Sequence, residues 1–309
     1  MGVFTQTNKL TTLKEAAAMV NDGDMVAIGG GLCLREPIGL IMELIRQGKR
    51  DLHLVGTAHG FDVDLCCGGG IVGAVEETHV SFEQDFGLAL NYREACESGK
   101  VKVRESCCNT LINQLRAGSS GIPFIPLRSI KGSDELFMHP EYKVIDDPFT
   151  GKKIVLAPAL TPDVAIVHVD KADPRGNLKI LPPYVADVLF IRAANKVIVT
   201  AEEVVSEEEM KKIGPNIPYY ETTAVVELPY GAHPTSCYPH YVYDREYISN
   251  YMKASREGPE AFKEKYLDKY VYGVESHEEY VKLIGEERFA RLASWKESKE
   301  RWMELFTYE

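Results

Sequence analysis

Short apolar runs, glycine-rich turns and amphipathic stretches alternate along the first two thirds of the chain. Residues 13–20 have the Ala-rich composition of a helix, Asn21-Asp-Gly-Asp24 stops it, and Met25–Ile28 is an apolar strand leading into Gly29-Gly30-Gly31. Apolar residues at helical spacing (Ile38, Ile41, Met42, Leu44, Ile45) predict a helix over residues 37–47, and a strand follows over 51–55. A helix between two short apolar strands is a βαβ unit, so its sheet is parallel. The unit recurs. Residues 71–75 are apolar, 87–98 read as helix, 100–103 as strand, and 110–117 as a helix closed by Gly118. Residues 164–167, 197–199 and 224–228 have the β-branched composition of buried parallel strands.

From Arg245 the pattern changes to charged helix studded with aromatics, over residues 247–255, 259–266, 277–284 and 286–302. Neither an internal repeat nor a low-complexity linker interrupts the chain. The expected fold is α/β: an open, mostly parallel sheet flanked by helices over residues 1–244, with a helical C-terminal extension over 245–309. Amphipathic packing on the sheet, or at a subunit interface, accounts for that extension.

At 309 residues and 45% hydrophobic, the chain can bury a full core. A formal charge of -11 argues against a general nucleic-acid or anionic-membrane surface, which needs basic patches, while leaving room for a local cationic site for an anionic substrate. The first residues carry no basic region followed by an apolar run, and no stretch is long enough to span a bilayer, so a cytoplasmic protein is expected. The seven cysteines are accordingly read as thiols. Cys66-Cys67 and Cys107-Cys108 lack zinc-knuckle spacing and have no histidine at ligand distance in sequence, so no metal site is expected and the pairs read as small core residues.

Several segments carry candidate chemistry. Pro229-Tyr-Gly-Ala-His-Pro-Thr-Ser-Cys-Tyr238 mixes backbone punctuation with polar donors, and His233 within it either touches substrate or pins its own loop. Gly29, Gly30 and Gly31 at a strand end let the backbone approach a ligand, and amides of the helix beginning near Pro37 offer anion contacts. The triplet fits neither a dinucleotide fingerprint nor a P-loop. Arg35 suits bidentate recognition of a substrate carboxylate, or else pairs with Glu36 or solvent. Glu83 and Glu105 are candidate general bases or helix caps; Glu105 follows a short strand, near the sheet edge where ligands gather. No local signature of a Ser-His-Asp or Cys-His-Asp triad is present.

Taken in order, these stations resemble a known family. Asp22-Gly-Asp24, Ala27-Ile-Gly-Gly30 and Arg35-Glu-Pro37 are followed by Thr110-Leu-Ile-Asn-Gln-Leu-Arg-Ala-Gly118 through Gly121-Ile-Pro-Phe124. Asp163-Val-Ala-Ile166 with Asp173-Pro-Arg-Gly-Asn177, then Thr200-Ala-Glu-Glu203, and finally Pro229–Pro234 with Cys237-Tyr238 complete the series. Over about residues 8–255 the chain resembles the α subunits of family I coenzyme A transferases, and the last motif points to the glutaconate branch. The resemblance implies CoA exchange between an acyl-CoA and a short-chain (di)carboxylic acid, with the CoA thioester as substrate and no bound cofactor. It implies too that the nucleophilic glutamate sits on a separate β subunit, since this chain has no Glu-Asn-Gly station, and that αβ units dimerise. Gly29, Gly30, Gly31, Arg35, Glu83 and His233 become the expected substrate contacts, the glycine amides stabilising oxyanions. Two alternatives stay open. On the same fold, hydrolases that open a β-diketone ring in steroid breakdown, or decarboxylases, would use Glu105 as catalytic residue. A ligand-binding module like those of sugar-phosphate regulators would carry a helix-turn-helix ahead of the sheet, yet only about ten residues precede the first helix.

Overall fold

Seven strands running in one direction, with a short antiparallel eighth at Leu178–Lys179, build the central sheet of the computed structural model, which describes residues 8–128 and 130–296, the side chains of Glu83, Gln84 and Lys296 excepted. They are β1 (Met25–Ile28), β2 (Leu52–Val55), β3 (Val72–Glu76), β4 (Lys102–Val103), β5 (Val164–Ala172), β6 (Lys196–Val204) and β7 (Ala224–Glu227). Their order across the sheet is β7-β6-β5-β1-β2-β3-β4, every neighbouring pair parallel. The chain therefore starts at the centre and winds outward twice, first through β2 to β4 and then through β5 to β7. Where the two windings part, between β1 and β5, the helices leave on opposite faces, and this is the switch point outside whose strand ends ligands gather in open α/β sheets.

The period of two in the strands decides which core each side chain joins. Val26 and Ile28 of β1 with Val164 and Ile166 of β5 enter one buried cluster, while Ala27, Ala165, Val167 and Val169 enter the other. The first cluster is covered by the helices Ile38–Arg46 and Phe61–Gly68, the second by Cys108–Ser119 and Asp187–Ala193. Because β5 is buried on both faces, its one histidine needs a partner inside the sheet. Register supplies it: His168 lies opposite Thr200 of β6, and its Nδ1 is 2.8 Å from the threonine hydroxyl.

The C-terminal helices add to the first cluster. Arg245–Arg256 begins at Asp244, whose carboxylate accepts the Tyr247 amide at 3.0 Å, and His277–Ile284 begins at Ser276, which accepts the Glu279 amide. Pro259–Phe262 runs on as a π-helical stretch, Lys263–Val271. Tyr247, Tyr251 and Tyr266 pack against Phe61, the Phe61 and Tyr251 centroids being 4.5 Å apart, and Phe262 meets Tyr251 edge-on. No helix among the described residues is long and apolar enough to cross a membrane.

Several elements differ from the sequence reading. Gly118 does not close a helix; it lies inside Cys108–Ser119, where a Cβ would come within 2.2 Å of the Leu160 carbonyl, so the glycine permits close packing. Of the adjacent cysteines, Cys66 and Cys67 are buried as expected, whereas Cys108 is exposed at the start of its helix. The helix expected over 286–302 is described as Glu286–Ala293 and a short 3-10 turn, Ser294–Lys296; its remainder lies outside the described residues. A three-stranded antiparallel sheet, Phe124–Leu127, Lys153–Pro158 and Lys143–Asp146 in that spatial order, was not anticipated. One of its two outer strands, Lys143–Asp146, is exposed along its whole length, so no buried face marks that strand in the sequence.

Candidate active site

The loop after β1 stands at the switch point of the sheet. Gly30 and Gly31 have φ of +80° and +140°, and a Cβ on Gly30 would come within 2.3 Å of the Leu34 carbonyl, on Gly31 within 2.4 Å of the Ala58 carbonyl. Only glycine fits either position. Substituting Gly30 with alanine combines a left-handed backbone penalty with an overpacking penalty, each about 1–3 kcal/mol. A Gly30→Ala protein is therefore expected to lose roughly 2–6 kcal/mol in a urea titration; a loss below about 1 kcal/mol would show that the loop can relax.

The strain continues past the glycines. Leu32, Cys33 and Arg35 all adopt left-handed φ, at 51°, 62° and 49°. Three non-glycine residues in that region within four positions persist only where surrounding contacts over-determine them, as happens at working sites. Those contacts are visible. The Arg35 amide donates to the Ser236 carbonyl at 2.7 Å, tying this loop to the 229–238 loop, and Cys33 donates its amide to Glu36 Oε1 at 3.1 Å.

The amides and the guanidinium that were expected to meet substrate are already engaged. Gly29 donates to the Ile166 carbonyl, Gly30 to Asp187 Oδ1 and Gly31 to the Leu34 carbonyl, at 2.8, 2.9 and 2.9 Å. The helix Ile38–Arg46 offers no anion site at its start, since Ile38 donates to the Glu36 carbonyl and Gly39 to the Gly231 carbonyl. Arg35 is 1% exposed; its Nη1 donates to the Leu181 carbonyl, and Nη2 to the Pro183 carbonyl and to Asp187 Oδ2 at 2.9 Å. It is a strut between the glycine loop and the segment 181–187, not a free grip for a carboxylate. Burial pushes the Asp187 carboxyl up while Arg35 pulls it the other way.

The remaining candidates are dispersed. Glu105 is exposed two residues beyond the edge strand β4, its own carbonyl 2.8 Å from His139 Nε2. With strands about 4.8 Å apart, three spacings put it roughly 14 Å from β1, so this chain does not bring it to the glycine loop. Glu83 opens the short helix Glu83–Phe86, and its side chain lies outside the described residues. His233 is 1% exposed, with Nδ1 2.7 Å from the Tyr280 hydroxyl and Nε2 3.1 Å from Asp244, which Arg288 also holds. That arrangement pins the 229–238 loop to the C-terminal helices. One histidine, glutamate and cysteine grouping, His168, Glu202 and Cys237, has metal-ligand proximity among the described residues. Hydrogen bonds already account for it: Glu202 accepts from Tyr241 and from the Tyr230 amide and faces His168 Nε2, and burial keeps the Cys237 thiol protonated.

A second group, which the sequence reading did not single out, lies at the carboxyl ends of β2 and β3. Glu36 Oε2 accepts the Asp62 amide at 3.1 Å, the Asp62 carboxylate is bonded to His59 Nδ1, and Glu77 faces the same imidazole. Burial alone would pull the His59 imidazolium down, but Asp62, Glu77 and Glu36 hold it up at about 10. Burial pushes the Glu77 carboxyl to about 8 against the pull of His59, and it raises the Glu36 carboxyl as well. Groups shifted this far beside a strained loop at a sheet switch point mark a candidate active site. The sequence signal available was acidic residues directly after two apolar strands, Glu76-Glu77 above all, which read equally well as ordinary strand ends.

The chain matches the coenzyme A transferase family over residues 10–228. It is 36% identical over 299 residues to an uncharacterized protein of Archaeoglobus fulgidus, covering 95% of this chain and 66% of that one, so it spans about two thirds of that relative's length. It is 33% identical over 306 residues to the A subunit of glutaconate CoA-transferase of Acidaminococcus fermentans, covering 92% of this chain and 94% of the relative. The crystal structure of that glutaconate coenzyme A-transferase superposes with a TM-score of 0.87 over 92% of this chain and 95% of the other, at 32% identity. It is also 33% identical over 284 residues to the A subunit of 3-oxoadipate CoA-transferase of Pseudomonas knackmussii, covering 90% and 99% of the two chains.

Proposed function

The chain belongs to the coenzyme A transferase family, and from that premise we propose that it is the A (α) subunit of a heteromeric enzyme exchanging CoA between an acyl-CoA and a short-chain dicarboxylic acid such as glutaconate. Its companion is a B (β) subunit that carries the nucleophilic glutamate. One observation carries the division of labour. Of the carboxylates beside the switch point, Asp187 is occupied by Arg35 and the Gly30 amide and Glu36 by the Cys33 and Asp62 amides, while Glu77, though unpartnered, is buried and holds its proton up to about pH 8, so none is an available carboxylate nucleophile at neutral pH.

A carboxylate nucleophile suits the exchange. It attacks the acyl-CoA carbonyl and expels CoA thiolate to leave an acyl-enzyme anhydride; the thiolate then opens the anhydride on the enzyme side, releasing the first acid and leaving an enzyme thioester. The acceptor acid attacks that thioester in turn and reverses the sequence. In this reading the present chain supplies the rigid wall, loop 29–35 held by Arg35 and the 229–238 loop held by His233, against which the substrate is fixed. Small-molecule acids and CoA esters are the ligands, and the thioester is the only CoA species required. None of the seven cysteines is in a disulfide, which suits a reducing compartment, and we place the assembly in the cytoplasm.

The reconstituted pair, incubated with acetyl-CoA and then borohydride, is expected to carry a reduced glutamyl thioester on the B subunit, visible by peptide mass spectrometry, while this chain by itself exchanges no CoA. Modification of neither subunit would overturn the transferase. Turnover without a trapped intermediate, abolished by Glu105→Gln, would move the enzyme to the carbon-carbon hydrolase or decarboxylase chemistry of the fold.

A further inference from the structure

Gly56, the residue after β2, has two polar side chains directed at its α-carbon. A Cβ there would lie 2.5 Å from His59 Nε2 and 2.6 Å from both carboxylate oxygens of Glu77. None of these three atoms has a hydrogen-bond partner, though each is buried; His59 is 0% and Glu77 7% exposed. A buried polar atom left without a partner costs about 1–3 kcal/mol, so a fold that leaves three at one point carries them for a reason other than stability.

Glu77 acts on His59 through space, and on its far side His59 is connected to the strained loop by a series of hydrogen bonds. His59 Nδ1 is bonded to Asp62 Oδ2, and Asp62 Oδ1 accepts the Gly60 and Val63 amides at 3.1 and 2.8 Å. The Asp62 amide donates to Glu36 Oε2, and Glu36 Oε1 accepts the Cys33 amide in the middle of the left-handed run Leu32, Cys33, Arg35. The Gly31 α-carbon abuts the Ala58 carbonyl, one residue from His59. These contacts give a continuous bonded route from His59 to the loop at the switch point.

We propose that His59 and Glu77 are positioning residues for the CoA-transfer reaction, setting the conformation of loop 32–35 through Asp62 and Glu36; this rests on the transferase reading above. The groups facing Glu77 are His59, Asp62 and its neighbour Glu76 at the end of β3, which pairs with Arg104 and lies 3.6 Å from His53; Glu36 acts on His59. The thiols of Cys66 and Cys67 and the Tyr92 phenol also sense its charge, and burial keeps all three protonated. With the Glu77 carboxyl raised to about 8, it holds its proton at neutral pH and can donate an O–H; above that pH it becomes a buried anion beside Asp62.

The test uses the reconstituted complex of both subunits with acetyl-CoA and glutaconate. In the wild type, kcat should fall about tenfold with a midpoint near pH 8 while KM for acetyl-CoA changes less than about threefold, because the pair acts on positioning and not on ground-state binding. Glu77→Gln, fixed in the neutral form, should stay within about twofold of its neutral-pH rate up to pH 9, and Glu77→Asp should keep a fall with a displaced midpoint. Independently of turnover, the ratio of wild-type to Glu77→Gln alkylation rates at Cys33, followed by peptide mass spectrometry, should change about fivefold between pH 7 and 9 as the loop responds. An unchanged pH profile together with a flat Cys33 ratio, in a Glu77→Gln complex that assembles normally, would overturn the proposal. If Glu77→Gln does not assemble, Glu77→Asp decides it by the presence or absence of a displaced midpoint. A wild-type complex that transfers no CoA would sink the transferase reading instead, while the Cys33 ratio would still judge the pair.

Discussion

Replacing Arg35 with methionine is expected to lower the unfolding free energy by about 3–5 kcal/mol, the cost of leaving one member of a buried ion pair without the other. Asp187 would remain fully buried, held by the Gly30 amide and its own backbone amide alone, and the Leu181 and Pro183 carbonyls would lose their donors. Burial already pushes the Asp187 carboxyl up; without the guanidinium that opposes it, Asp187 should take up a proton on folding. The Arg35→Met deficit is therefore expected to shrink as pH falls toward the carboxylate range. Adding Asp187→Leu to Arg35→Met should restore part of the loss, because an apolar pair removes the stranded charge but not the two orphaned carbonyls. Urea titrations of the four members of this cycle check both statements. An Arg35→Met loss below about 1 kcal/mol would mean that the pair is not the strut that closes the switch point.

Arg35 also shows where reading the sequence stops. The chain announces an arginine after a glycine loop and before a proline, and that placement is correct: β1, the loop and the helix start fall where the periodicity puts them, Met25–Ile28 to the residue. The partner is what the local sequence cannot give. Asp187 lies 152 positions away, in a helix the apolar pattern did not reveal because Asp187–Ala193 is too short for its periodicity to register. The same holds for Phe61–Gly68, buried on nearly all sides, in which Asp62 and Asp64 interrupt any apolar stripe although both are 0% exposed. Those two aspartates are internal because amides and hydroxyls from distant elements satisfy them: Asn91, the Tyr92 amide and Tyr251 for Asp64, and backbone amides with His59 for Asp62. The alternation of parallel strands was legible since it depends on neighbours in sequence. Which polar residues are buried was not, since that depends on contacts closed by topology.

Wild-type stability is expected to fall as pH rises from about 5 to about 10, and the buried pair over Gly56 should account for much of the slope. Glu77 titrates at about 8 in the folded chain against an ordinary value of 4.5, and His59 at about 10 against 6.5. Between the unfolded and folded values of each group the native state holds a proton that the unfolded chain has released. Stability then declines with pH, by up to about 1.4 kcal/mol per unit for each such proton, and most steeply between about 6.5 and 8 where both windows overlap. Groups with the opposite sign act only in acid: despite burial, His233 and Arg288 hold the Asp244 carboxyl well below its usual range, and His168 and Tyr241 lower Glu202, so their contributions are lost as pH falls. Subtracting the urea-derived stability of Glu77→Gln from that of the wild type at each pH isolates the carboxyl. The difference should decrease from about pH 5 to about pH 8 and then level, and a difference flat across that range would show that Glu77 ionises as readily folded as unfolded. A neutral residue at this position would spare the fold that loss, and the positions of His59, Asp62 and Glu36 then acquire their meaning: a glutamate kept at the expense of stability, placed beside a histidine that is bonded through to a loop whose backbone is also strained, is what a chain retains when positioning substrate matters more than holding together.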